Sequence, residues 1–251
     1  MKLTKIHAVY LTAAVLLLGL TYVPLFATER TLDTFAREDG IFENLTSVYL
    51  FATSLIFVAA FFRFRTASWL LRLSYAGLAL LFFLGAGEEI SWGERIFHWD
   101  DHNYIRSINV QDELTIHNLK YFQGDEAIIP ISTSQMFTVF AFTLAVLIPL
   151  ACRLSSKIER LVAPHFPVLP LEPGILVLAT YFFQKVMVRL LPVFPALYQH
   201  PSMPIPQGVH EIREHGYSFA LLVSAALYLL RQRSEKKVGE SRQRPVEVTS
   251  S

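Results

Sequence analysis

The chain has 251 residues, of which 53% are hydrophobic and 17% charged, with a formal net charge of +1 and a mean hydropathy of +0.39. A soluble domain of average composition is about 25% charged, so this shortage of charge excludes a protein wrapped wholly in water. The single cysteine, Cys152, cannot form an intramolecular disulfide and excludes a multi-cysteine metal site; closing an apolar run, it reads as a small buried hydrophobe.

A bilayer core of ~30 Å needs roughly 20 apolar residues in a helix, and lipid offers no partner to open backbone groups. Six runs meet the requirement: 6–26, 41–64, 68–87 with a polar continuation to about 99, 134–152, 174–194 and 211–230. The first exceeds a signal h-region and no A-x-A site follows it, so it reads as a retained helix. The expected fold is all-α: a polytopic transmembrane bundle of about six helices, forming one domain over 1–230. Residues 88–133 make one long extracytoplasmic loop, with a short amphipathic helix from Val110 to Phe122. The tail, 231–251, is expected to be disordered, basic and cytoplasmic, a solvated anchor with no nucleic-acid role. Pro164, Pro167, Pro170 and Pro173 recur every third residue, as in a stiff polyproline spacer.

Lysines and arginines set the orientation. The N-terminus, the 2–3 and 4–5 connections and the tail carry fourteen, against five in the opposite loops. Both termini are therefore expected in the cytoplasm, with the lipid bilayer as the first partner. Sixteen acidic residues and six of the eight histidines fall on the opposite, extracytoplasmic side. Positive-inside bias explains missing lysine there but does not require carboxylates and histidines.

Several of these groups lie at membrane depth. Glu43 opens the second run, and Glu88 and Glu89 leave the third behind Gly85-Ala86-Gly87, where small residues permit close helix packing. Lys185 and Arg189 are spaced i, i+4 with Tyr181 on the same face. Charges in membrane helices usually face a partner or cavity, so Glu43, Glu88, Glu89, Glu211 and Glu214 are the expected partners of Lys185 and Arg189. One reading is a set of ion pairs that fixes the bundle. The other is a polar cavity for an anionic head group. If the third helix continues, Glu88, Trp92 and Arg95 share a face; Trp92 alone also fits an ordinary interface anchor. Glu113 and His117, with Asn118 beside them, have the spacing of an oriented base or metal ligand, and equally of a solvated surface pair. His210 and His215 are i, i+5, ~140° apart on a helix, so the hexapeptide from His210 to His215 is not a zincin motif. His117, His210, Glu211, Glu214 and His215 remain candidate ligands for a divalent metal.

Gly87-Glu88-Glu89-Ile90-Ser91-Trp92-Gly93-Glu94-Arg95, with Glu38 to Glu43 before it and Asn109 to Glu113 and His117-Asn118-Leu119 after it, resembles a family of bacterial multi-pass membrane proteins. The likeness spans roughly a third of the chain, and the family pattern has glutamine where this chain has Glu94. The resemblance implies a bacterial inner-membrane location and names no reaction.

The leading expectation is a metal-dependent hydrolase or transferase acting on lipid head groups at the extracytoplasmic interface. Glu88, Glu89, Glu113 and His117 would be catalytic, while Glu43, Trp92, Arg95, Asn118, Lys185 and Arg189 would bind an anionic lipid or other anionic ligand. The alternatives are an ion-coupled small-solute transporter, against which stands the lack of an inverted repeat, and a non-catalytic partner or sensor protein.

Overall fold

The computed structural model describes residues 5–37, 40–93, 132–194 and 205–242, together with 107, 108, 115, 120 and 198. Among these residues the fold is helical, without strands. Helix α1, Lys5–Leu20, leads through a 3-10 turn at Val23–Phe26 into the short α2, Glu29–Ala36. Then come α3, Ile41–Arg63, and α4, Trp69–Glu89. Helix α5, Thr133–Phe142, passes through a π-turn at Thr143–Leu147 into α6, Ile148–Leu154. The chain closes with α7, Ser156–Val162, α8, Gly174–Leu190, and α9, Ile205–Arg242. The amphipathic segment expected at Val110 to Phe122 lies almost wholly outside the described residues.

Three helical stretches, Glu29–Arg63, Trp69–Glu89 and Thr133–Leu154, are long and apolar enough to cross a membrane. Their outer faces fit that setting. Val48, Phe51, Leu55, Val58 and Phe62 recur at helical spacing along α3 and are all exposed, an apolar stripe that lipid tolerates and water does not. Of the other expected crossings, α1 and α8 have 16 and 17 residues, and α9 carries charge at both ends.

Helices α3 and α4 pack along their lengths, and α9 lies between α3 and α8. Polar threads join these apolar surfaces. Ser47 Oγ donates to the Ala86 carbonyl at 2.8 Å, and Ser54 Oγ to the Ala79 carbonyl at 2.7 Å, both from α3 to α4. The hydroxyls of Tyr75 and Tyr228 meet at 2.6 Å and tie α4 to α9. Such bonds hold helices together where lipid competes for apolar contacts. Gly216 sets the approach of α9 to α8, because an added Cβ would stand 2.7 Å from Thr180 Oγ1.

Three boundaries differ from the sequence reading. Helix α4 stops at Glu89, so it does not continue as a helix through Trp92. Helix α9 runs to Arg242, into the segment that composition assigns to a solvated tail. The fourth apolar run is interrupted by the π-turn. Pro149 supplies a reason: it has no N–H and its ring crowds the carbonyl four residues back, and the wider turn before it relieves that conflict. Cys152 is buried, as expected.

At the opposite end from Glu89, Glu172 meets Arg231 of α9 at 3.1 Å. Burial alone pushes the Glu172 carboxyl up, but a backbone hydrogen bond and the Arg231 guanidinium outweigh it and leave it below its ordinary range. A depressed folded-state pKa stabilises above the unfolded pKa of ~4.3 and is lost as pH falls through the folded value. Glu172→Gln is therefore expected to cost about 1 kcal/mol at neutral pH, the scale of a solvent-screened pair. Thermal unfolding in detergent should show the gap between wild type and variant closing as the pH is lowered through the carboxylate range.

Candidate functional site

The polar chemistry gathers where α3 begins, α4 ends and α9 begins. Glu43 sits in the first turn of α3, and Glu88 and Glu89 end α4. Glu211 and Glu214 lie near the start of α9. Glu89 is partly buried and lies within electrostatic reach of Glu214, Glu211, Glu43 and Glu88. The five carboxylates named from the sequence thus come together.

The turn after α4 aims one of them. Ser91, Trp92 and Gly93 have φ of 48°, 54° and 76°, three successive residues in the left-handed region. Only glycine enters it freely; Ser91 and Trp92 are each strained by roughly 1–2 kcal/mol. Strain of this kind gathers at functional sites. The turn folds the Trp92 ring back over Gly87, where an added Cβ would be 2.8 Å from ring carbons. Trp92 Nε1 then donates to Glu88 Oε1 at 2.6 Å. The Gly87-Glu88-Glu89-Ile90-Ser91-Trp92-Gly93 element is thereby one device: a glycine that admits the ring, a ring that pins a carboxylate, and a left-handed exit.

Arg213, 5% exposed, is the buried cation of this end. Its Nη2 donates to Ser134 Oγ of α5 and stands 3.3 Å from Glu214 Oε1. Ser134 Oγ in turn donates to that same Glu214 oxygen. Hydroxyl, carboxylate and guanidinium thus form a closed set across α5 and α9. His215 is also buried, packed between the rings of Phe42 at 4.9 Å and Tyr49 at 5.3 Å. His210 is half-buried on the same helix.

Sequence reasoning passed over Ser134 and Arg213. Arg213 was legible as the one cation inside the hexapeptide from His210 to His215, hidden by attention to the histidines. Ser134 looks like a helix-start residue; the cap is in fact Ser132, which forms a capping box with Gln135.

The expected cationic partners lie elsewhere. Lys185 and Arg189 are exposed on α8, with Lys185 Nζ 5.2 Å from the centre of the Tyr181 ring. Among the described residues no ion pair joins either to a carboxylate. The side chains at the acidic end and those of Lys185 and Arg189 do not form the interhelical pairs that charge-matching suggests. Arg95, Glu113, His117 and Asn118 lie outside the described residues. Among the described residues, no three of His, Cys, Asp and Glu group closely enough to hold a metal ion.

Against models of protein families, curated proteins and solved structures, the chain finds no match. The resemblance carried by the glycine-rich element has no counterpart there.

Replacing Gly87 by Ala is expected to destabilise by about 1–3 kcal/mol, the usual cost of overpacking, through the Trp92 ring. In a Trp92→Ala background the same substitution should be close to neutral. Thermal unfolding of the four proteins measures the coupling; an unchanged cost without the ring would show that the ring contact is not the reason for the glycine.

Proposed function

We propose that this protein is a multi-pass protein of the bacterial inner membrane, a hydrolase or transferase acting on lipid head groups, with the cluster around Glu89 as its extracytoplasmic reaction centre. Six crossings with both termini cytoplasmic follow from the six apolar runs and the fourteen-to-five bias of basic residues. The observation that carries the reading is the convergence of five carboxylates from three helices, one of them, Glu214, paired with the buried Arg213 guanidinium.

Carboxylates within electrostatic reach of one another titrate as a set and can share protons. Carboxylates that share protons are suited to general acid–base work. Glu214 accepts the hydrogen bond of Ser134, so a hydroxyl at that position already directs its proton at a base. Arg213 is placed to anchor the anionic oxygen of a head-group ester or phosphodiester. In this reading the Ser134 hydroxyl attacks the ester carbon or phosphorus of the head group and gives its proton to Glu214, the bond to the alcohol oxygen breaks with a proton supplied from the carboxylate cluster through Glu89, and water then releases the Ser134 adduct by the reverse path.

The test is lipid analysis by mass spectrometry after incubating the purified protein with nanodiscs of mixed bacterial phospholipids. Wild type should convert one phospholipid class. Glu89→Gln should lower the rate by about 100-fold or more, the scale of general acid–base catalysis, with its thermal unfolding unchanged. Ser134→Ala should do the same. No conversion of any class by wild type, or full activity in Glu89→Gln, would overturn the reading. Proton uptake into proteoliposomes without lipid conversion would mark an ion-coupled carrier instead.

A further inference from the structure

The stretch Thr133–Leu154, long and apolar enough to cross a membrane, meets the acidic end of the bundle at Ser134. At its other end Ser155 stops α6 and caps α7, where its side chain accepts from the Ile158 N–H. Helix α7 therefore starts two residues beyond the end of an apolar crossing.

No residue of α7 is buried. Seven residues are too few for a helix to hold itself in water, and the rest of the chain gives this one no apolar cover. The segments on either side are anchored, with Cys152 buried before it and Pro167 and Leu169 buried after it. Ser68 Oγ donates to the Pro164 carbonyl and Ser74 Oγ to the His165 carbonyl at 2.7 Å, which fastens the exit of α7 to the start of α4. Helix α7 is thus an exposed strap held at its two ends.

Its faces differ. On an ideal helix Leu161, Ile158 and Val162 fall within one arc of about 100°. Leu161 and Ile158 are 70% and 39% exposed. Lys157 lies at the edge of that arc, about 40° from Leu161, and Arg160 and Glu159 lie further round. Lys157 and Arg160 are exposed, and among the described residues neither forms an ion pair. Arg153, exposed at the end of α6, adds a third cation against the one carboxylate of Glu159. Trp69, next to the fastening at Ser68, is also exposed; tryptophan gathers at the level where a membrane meets water.

We infer that α7 lies in the plane of the membrane at the Leu154 end of the crossing and docks on the head groups of anionic phospholipids. Ile158 and Leu161 enter the boundary between head groups and acyl chains, Lys157 meets the phosphates, and Arg160 and Arg153 strengthen the positive field. A leaflet is the occupant because a crossing that ends at Leu154 brings α7 to the level of the head groups, and anionic head groups complement its excess of cations. The inference goes beyond the reaction proposed at Glu89 and needs only that Thr133–Leu154 crosses the membrane.

The test places a nitroxide on α7 through Leu161→Cys, with wild type, whose Cys152 is buried, giving the labelling background. Collision with oxygen and with a water-soluble nickel chelate measures the depth of the probe. The full chain is reconstituted in nanodiscs of phosphatidylcholine alone and of phosphatidylcholine mixed with phosphatidylglycerol. With phosphatidylglycerol the Leu161→Cys probe should be immersed and favour oxygen, whereas a Glu159→Cys probe should stay in water. Lys157→Gln and Arg160→Gln should each lower the immersed-to-exposed ratio about fivefold, the scale of one basic residue near an anionic surface. Every substituted residue is exposed, so folding is not at stake. A Leu161→Cys probe in water in both discs, equal immersion with and without phosphatidylglycerol, or immersion unchanged by loss of both cations would overturn the inference. So would spin–spin coupling between copies, which would mark a contact between two chains. Loss of lipid conversion at Glu89 leaves this readout untouched.

Discussion

Five carboxylates held at one end of an apolar bundle are the constraint on which the rest of this structure depends. Glu43, Glu88, Glu89, Glu211 and Glu214 repel one another wherever they are ionised together, and repulsion between close charges grows as water is withdrawn. Among the described residues Arg213 is the buried cation. The chain could have placed Lys185 and Arg189 there, one helix away, but α8 turns both outward. A bundle selected only for stability would gain by pairing them.

Holding such a centre together requires rigid neighbours, and the packing supplies them. The Ser47 and Ser54 hydroxyls fix α3 to α4, the helices that carry Glu43 on one side and Glu88 and Glu89 on the other. Gly216 brings α9, with Glu211, Arg213 and Glu214, closely against α8. The apolar layer beneath, with Tyr22, Leu25, Leu32, Phe42, Leu191 and Ile212, is buried almost completely. Phe42 belongs both to that layer and to the cage of His215, so the position of α3 and the surroundings of the imidazole are set by the same ring.

Much of this was legible in the sequence, and the parts that were not share a cause. Apolar run length marks α3 and α4 to within a few residues, because a helix able to cross a membrane must be predominantly apolar over about 20 residues. The acidic bias of one side foretells where the carboxylates meet. Short-range rules fail where a distant contact decides. Nothing local makes Ser91 and Trp92 adopt positive φ; both residues resist it, and the turn is maintained by the Trp92 ring on Gly87 and its bond to Glu88. Helix α2 was missed because at eight residues it is too short to stand out by periodicity, although Thr28 caps it and Leu32 and Ala36 anchor its inner face. Ser134 was missed because its partners lie some 80 positions away.

The start of α3 has two faces. Glu43 and Asn44, turned by about 100° from one another on α3, serve different surfaces. Glu43 turns with Phe42 and Thr46 towards α9 and the carboxylates, while Asn44 turns with Ile41 and Val48 towards a cleft beside α2. Asn44 Nδ2 donates back to the Gly40 carbonyl at 2.9 Å, closing the first turn of the helix between them. Gly40 itself allows the chain to come off α2 so sharply that an added Cβ would lie 2.5 Å from the Arg37 carbonyl. One helix start therefore divides an inner acidic surface from an outer amphipathic one.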